Sequence, residues 1–152
     1  MKDFKKFQSF MNEYNSHYRE LLSFETKKLR LIADDDIDEL RKSLNTEQAM
    51  IMKTNSLEKK RMELLSGGDE KKTMRELIEE APNDIKGSLT NSYNELSKLI
   101  FQIRKINVNA QEIVSQRLNI LEEIKNGTIN TYTKSGVKKH QSDVSSTLDK
   151  GI

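Results

Sequence analysis

The sequence predicts an all-α fold: an elongated antiparallel helical hairpin or bundle of three to four helices, with a long C-terminal helix and a weakly structured tail. Three observations predict it. Apolar residues recur in steps of three and four over most of the chain, which places them on one side of a helix. Breakers are scarce, with one Pro (Pro82) and six Gly in 152 residues. Charged residues make up 33% and the AVILMFWYC set only 34%, which suits narrow apolar seams with wide wet faces. Leu, Ile, Val and Phe still supply about a quarter of the chain, above the level at which disorder becomes the default. The length suits one helical domain, 1–127, followed by a tail, 128–152, that is flexible or ordered by a partner.

The first helix is expected over about 3–33. Its stripe is Phe4, Phe7, Met11, Tyr14, Tyr18, Leu21, Leu22, Leu29 and Ile32. Phe10 and Phe24 fall off that stripe and are expected to be exposed or to touch a partner. Asp34, Asp35 and Asp36 close the helix and open the next, with Asp36 as cap and Glu39 as its reciprocal partner. Acidic side chains in a first turn also suit the helix dipole.

The second helix follows over about 37–65. Its expected seam is Ile37, Leu40, Leu44, Ile51, Met62 and Leu65, widened by Met50, Leu57 and Leu64. Gln48 and Asn55 interrupt it with polar side chains, a device that can set helix register. Ser66-Gly67-Gly68 ends it. A short third helix over about 74–80 is signalled by a capping box, Thr73 with Glu76, and is stopped by Pro82.

The fourth helix is the longest, about 84–126. Ile85, Leu89, Tyr93, Leu96, Ile100, Ile103, Ile106, Ala110, Val114, Leu121 and Ile124 form one stripe. At 1.5 Å per residue it reaches about 65 Å. No isolated helix of that length holds in water unless its stripe is covered, and the first two helices are the obvious cover. Between 99 and 121 there is more apolar surface than one seam needs: Leu99, Phe101, Val108, Ile113, Leu118 and Ile120 lie beside or opposite the stripe. A helix apolar on more than one face is either covered twice or covered by something that comes and goes. After Asn126-Gly127 the chain turns polar, with sparse apolar residues such as Ile129, Tyr132, Val144 and Leu148.

Several function classes are set aside by the same reading. The 26 basic and 24 acidic residues are too balanced to make nucleic acid or anionic lipid the main partner. No window reads as a membrane span or a secretory signal, so a cytoplasmic location is the expectation. There is no cysteine, and His17 and His140 each lack a cluster of further ligands, so no metal is expected. Gly67-Gly68 lacks the spacing and the Gly-Lys-Ser/Thr of a phosphate loop, and no nucleophile elbow occurs, so no cofactor and no catalytic residue are expected. Glu79-Glu80 and Glu122-Glu123 are neighbours that face apart on a helix, which makes them poor acid–base pairs. Binding through an apolar stripe is the chemistry that remains.

Particular residues carry a family likeness. The stretch 37–65 has an acidic start, a lysine-bearing middle and a final Arg61-x-x-Leu64-Leu65. The last long helix has Ile106-Asn107-x-Asn109 followed by Gln111, Gln116 and Leu121, and the tail has Thr131-Tyr132-x-x-x-Gly136. In these features the chain resembles FlgN-type flagellar export chaperones. The resemblance implies a cytoplasmic chaperone, independent of ATP, that binds the C-terminal helices of hook–filament junction proteins of the FlgK and FlgL type. It would keep them from assembling early, deliver them to the export apparatus and meet the export ATPase complex. The family's client-binding part lies toward the C-terminus. By position it corresponds here to Ile113, Val114, Leu118, Leu121, Ile124 and Tyr132. Asn107 and Asn109 would fix helix register or bond a client backbone. Inward packing within the hairpin is the competing role for all of these residues. Two other readings stay open for the chain as a whole: a non-catalytic coiled-coil homodimer, and a helical adaptor unrelated to flagella.

Overall fold

The computed structural model describes residues 3–66 and 72–127. They form four helices: α1 (Phe4–Ala33), α2 (Ile37–Leu65), α3 (Met74–Glu79) and α4 (Asn83–Asn126). No strand occurs among the described residues. The expected tail, 128–152, lies outside them. The Asp3 carboxylate, not singled out from the sequence, accepts from Lys6 N–H at 3.1 Å at the start of α1. At the start of α2 Asp36 caps as expected, accepting from Glu39 N–H at 3.2 Å, but the reciprocal half does not form, because Asp36 N–H bonds the Leu31 carbonyl and the Glu39 carboxylate bonds Lys42. At α3 the capping box is complete, with Thr73 and Glu76 each accepting from the other's backbone N–H.

The chain divides into two compact units. The first comprises Met1–Phe24 and Leu44–Gln102. Within it α2 runs antiparallel to α1, since the partners of Glu13, His17 and Glu20 are Lys60, Thr54 and Lys53 in falling order. By contrast α4 runs parallel to α1, with Gln8 bonded to Ser88, Asn15 to the Ser92 carbonyl at 2.9 Å, and Arg19 to Glu95 at 2.6 Å. The core is the expected α1 stripe, with Phe7, Met11, Tyr14 and Tyr18 buried, joined by Leu57, Leu77, Ile78, Leu89, Leu96 and Leu99.

Two expectations are corrected here. Phe10 is buried, only 4% exposed, because it stacks on Tyr14 one turn on with ring centroids 5.1 Å apart. That stack adds a third column beside the two-residue stripe. On α2 the seam lies along another line. Ile37, Leu44, Ile51 and Met62 are exposed, whereas Met50, Thr54, Leu57, Arg61 and Leu64 turn inward. Polar residues occupy inward positions because each finds a partner there. Arg61 pairs with Glu58, which also accepts from the Tyr14 hydroxyl at 3.0 Å. Arg61 beside it, and then the Tyr14 bond, hold the Glu58 carboxyl below its usual range, while burial pushes the Tyr14 hydroxyl well above its own.

Thr54 fixes the state of His17, which is 1% exposed. The Thr54 hydroxyl has one proton and donates it to the Met50 carbonyl at 2.9 Å. Its contact with His17 Nε2 at 2.7 Å is therefore an Nε2–H donating to Thr54. Nδ1 is then the unprotonated nitrogen, and no donor faces it among the described residues. Burial, reinforced by the Lys53 charge, pushes the His17 pKa down.

The second unit comprises Glu25–Ser43 and the described part of Ile103–Ile152. It is packed more thinly. Among the described residues, the buried apolar ones that belong to it are Ile103 and Ala110. Leu29, Leu31, Ile32, Leu40, Ile106, Ile113, Val114 and Leu118 are half-buried.

Candidate client-binding edge

The second unit is organised by how α1 ends. Asp35 N–H bonds the Ile32 carbonyl at 3.1 Å and Asp36 N–H bonds the Leu31 carbonyl at 2.9 Å. Asp35 between them has φ 58°, the left-handed conformation that closes this Schellman turn. A short polar side chain bears that conformation better than a branched one would. The turn gives the Ile32 carbonyl a backbone donor, and Arg117 of α4 adds a second: its guanidinium bonds the Ile32 carbonyl, the Ala33 carbonyl at 2.5 Å and the Asp35 carboxylate at 3.3 Å. A cation at this place also suits the negative end of the α1 dipole.

Beyond Arg117, α4 continues to Asn126, about 13 Å further at 1.5 Å per residue. The apolar pattern continues with it, in phase. Ile103, Ala110, Val114, Arg117 and Leu121 follow one another by seven, four, three and four, so Leu121 shares the face that Ile103 and Ala110 bury. Yet Leu121 is 61% exposed, Ile124 70% and Ile120 55%. The face persists where its cover has stopped. Val108, on the other side of α4, is exposed as well.

Of the residues singled out from the sequence, Leu121 and Ile124 stand open on this edge, and Ile113, Val114 and Leu118 are half-buried just before it. Asn107, Val114 and Leu121 lie seven apart on one line; Asn107 is half-buried, while Asn109 is exposed and off that line. Tyr132 lies outside the described residues. Sequence reading missed two participants. Ile120 belongs to the surplus apolar residues of the sequence but not to the set expected to bind, and Arg117 belongs to neither. A cation in phase with an apolar stripe, opposite a helix end, was the signal for Arg117.

Among the described residues no group of His, Cys, Asp and Glu could hold a metal ion, and no helix is long and apolar enough to cross a membrane. A family model described as FlgN protein matches residues 1–140, through the four helices and past Tyr132. The chain belongs to the FlgN family. FlgN proteins are flagellar export chaperones, which serve protein export by binding hook-associated proteins of the flagellum. No curated protein and no solved structure matches the chain.

Proposed function

We propose that this FlgN-family chain is a cytoplasmic chaperone that holds the C-terminal helices of FlgK- and FlgL-type junction proteins on the open edge of α4. The observation that carries the reading is the exposure of Leu121 and Ile124 on the face that Ile103 buries. A client's amphipathic helix, otherwise free to polymerise, lies along that edge and is hidden.

Magnitudes set how long the contact must be. Fully burying a Leu or Ile side chain is worth about 1.5–3 kcal/mol. Association costs about 4–15 kcal/mol before any net affinity appears. Ile120, Leu121 and Ile124 alone barely offset that cost, so the contact extends over Ile113, Val114 and Leu118 and into residues 128–152, where Tyr132 lies. In this reading 1–127 is the helical domain and 128–152 the segment that a client orders. Asn107 fixes register and Asn109, exposed, bonds client backbone. Release needs no hydrolysis by this chain, only competition at the export apparatus, where the export ATPase complex receives client and chaperone.

The test is co-purification of the full chain with C-terminal fragments of FlgK- and FlgL-type proteins. Stable complexes are expected, and they weaken when 128–152 is deleted or when Leu118 and Leu121 are replaced by Asp. Absence of any complex removes the proposal. A homodimer that buries the same edge is the competing reading. Sedimentation distinguishes it, because such a dimer persists unchanged when client is added.

A further inference from the structure

The first unit contains a cavity of about 320 Å³ at the end of α2, bounded by α3 and by Tyr93 of α4. Its lining divides by chemistry. Arg61, Lys72 and Arg75 supply three cations, and no carboxylate lines it among the described residues. Met62, Met74 and Tyr93 supply apolar wall. Glu58 pairs with Arg61 and Glu80 with Lys72, both from outside the lining. Among the described residues two carboxylates pair with two of these three cations, and exposed Arg75 is in no ion pair.

We propose that this cavity is a docking site for an acidic peptide segment of a partner protein, with an aliphatic or aromatic side chain as anchor and a neighbouring carboxylate on Arg75. A bare anion would leave the methionine and tyrosine walls wet. A wholly apolar occupant would strip water from cations without replacing it. A group with both characters satisfies both parts of the lining. The volume lies at the low end of small-ligand pockets, about 300–1,000 Å³. It takes one anchoring side chain, and the rest of the affinity comes from chain that continues outside, along the exposed Arg75. The residues of this cavity all belong to the first unit and those of the client edge to the second, so loss of one binding event leaves the other measurable.

The probe is a short fluorescein-labelled peptide with one leucine flanked by aspartates, titrated into the full chain by fluorescence polarisation. The methionine methyl carbons are followed in parallel by NMR. Saturable binding is expected, with the methyl signals of Met62 and Met74 moving while those of buried Met11 and exposed Met52 stay fixed. Binding weakens at least tenfold for Arg75→Glu, and likewise for the native chain against a peptide with asparagines in place of the aspartates. The second comparison needs no variant, so it stands whether or not the substituted chain folds. The proposal is overturned by absence of saturable binding, by undiminished binding of the Arg75→Glu chain or of the asparagine peptide, or by shifts at Met52 instead. N-acetyl-leucine binding as tightly as the peptide, at the same methyls, also overturns it in favour of a free acid.

Discussion

Arg117 donates to the Ala33 carbonyl at 2.5 Å, a bond that ties α4 to the end of α1. On one side of it the apolar face of α4 is covered; on the other Leu121 and Ile124 lie open. One side chain thus closes a helix terminus just before the exposed end of α4. The stability that this bond supplies and the binding proposed for the edge are separated by substitution.

Arg117→Ala removes the donors to Ile32 and Ala33. Hydrogen bonds to charged groups contribute about 1.5–3 kcal/mol, and partial exposure of this guanidinium lowers the expectation to about 1–2 kcal/mol. Urea unfolding followed by circular dichroism is expected to show that loss. Arg117→Lys recovers only part of it, because an ammonium cannot fork between two carbonyls. An unchanged midpoint for Arg117→Ala would show that the cap carries no stability.

Acid is expected to destabilise the first unit through His17. Its folded pKa lies below the ordinary 6.5, so the unfolded chain takes up a proton more readily. The neutral ring's contribution is therefore complete above about pH 6.5 and is lost as pH falls from there through the lower folded pKa. Glu58 acts in the same direction at lower pH, since its folded pKa is also depressed, chiefly by Arg61. Urea midpoints at about pH 7.5 and about pH 5.5 separate the two, because of these two groups only the histidine titrates in that interval. The native chain should lose stability across it and His17→Gln should lose much less. Equal slopes would remove His17 as the source.

Gly87 lies inside α4, and a Cβ built there meets nothing within 4 Å. Gly87→Ala should raise stability by about 0.5–1 kcal/mol through helix propensity alone. A thermal melt that moves down, or not at all, would contradict an open position in a continuous helix.

These residues also show why part of the molecule was legible in the sequence. The α1 stripe could be read because its inward positions Phe7, Met11, Tyr14 and Tyr18 are all large and apolar. Capping at Thr73 and the stop at Pro82 were legible because they are local chemistry. The α2 seam was not. Thr54 and Arg61 sit at inward positions, Thr54 satisfied by His17 of α1 and Arg61 by Glu58 of α2 itself, so the apolar phase points to Ile37, Leu44 and Ile51, which are exposed. Hydrophobic periodicity reports a buried face only when burial is apolar. Phe10 failed for a related reason, since its stack on Tyr14 depends on ring geometry rather than spacing. At the α4 edge the stripe itself is legible, with Leu121 and Ile124 in phase with Ile103. Its exposure follows from where α1 stops, a contact between residues 84 apart.

The central claim is that the α4 edge beyond Arg117 holds the client. Its most direct measurement is isothermal titration of a FlgK-type C-terminal helical peptide into the full chain and into Leu121→Asp/Ile124→Asp, with urea midpoints taken on the same samples. Both residues are exposed, so the stability should change by no more than about 0.5 kcal/mol. The account predicts at least a tenfold rise in Kd, a loss of about 1.4 kcal/mol or more. An unchanged Kd at unchanged stability would place the client elsewhere and contradict it.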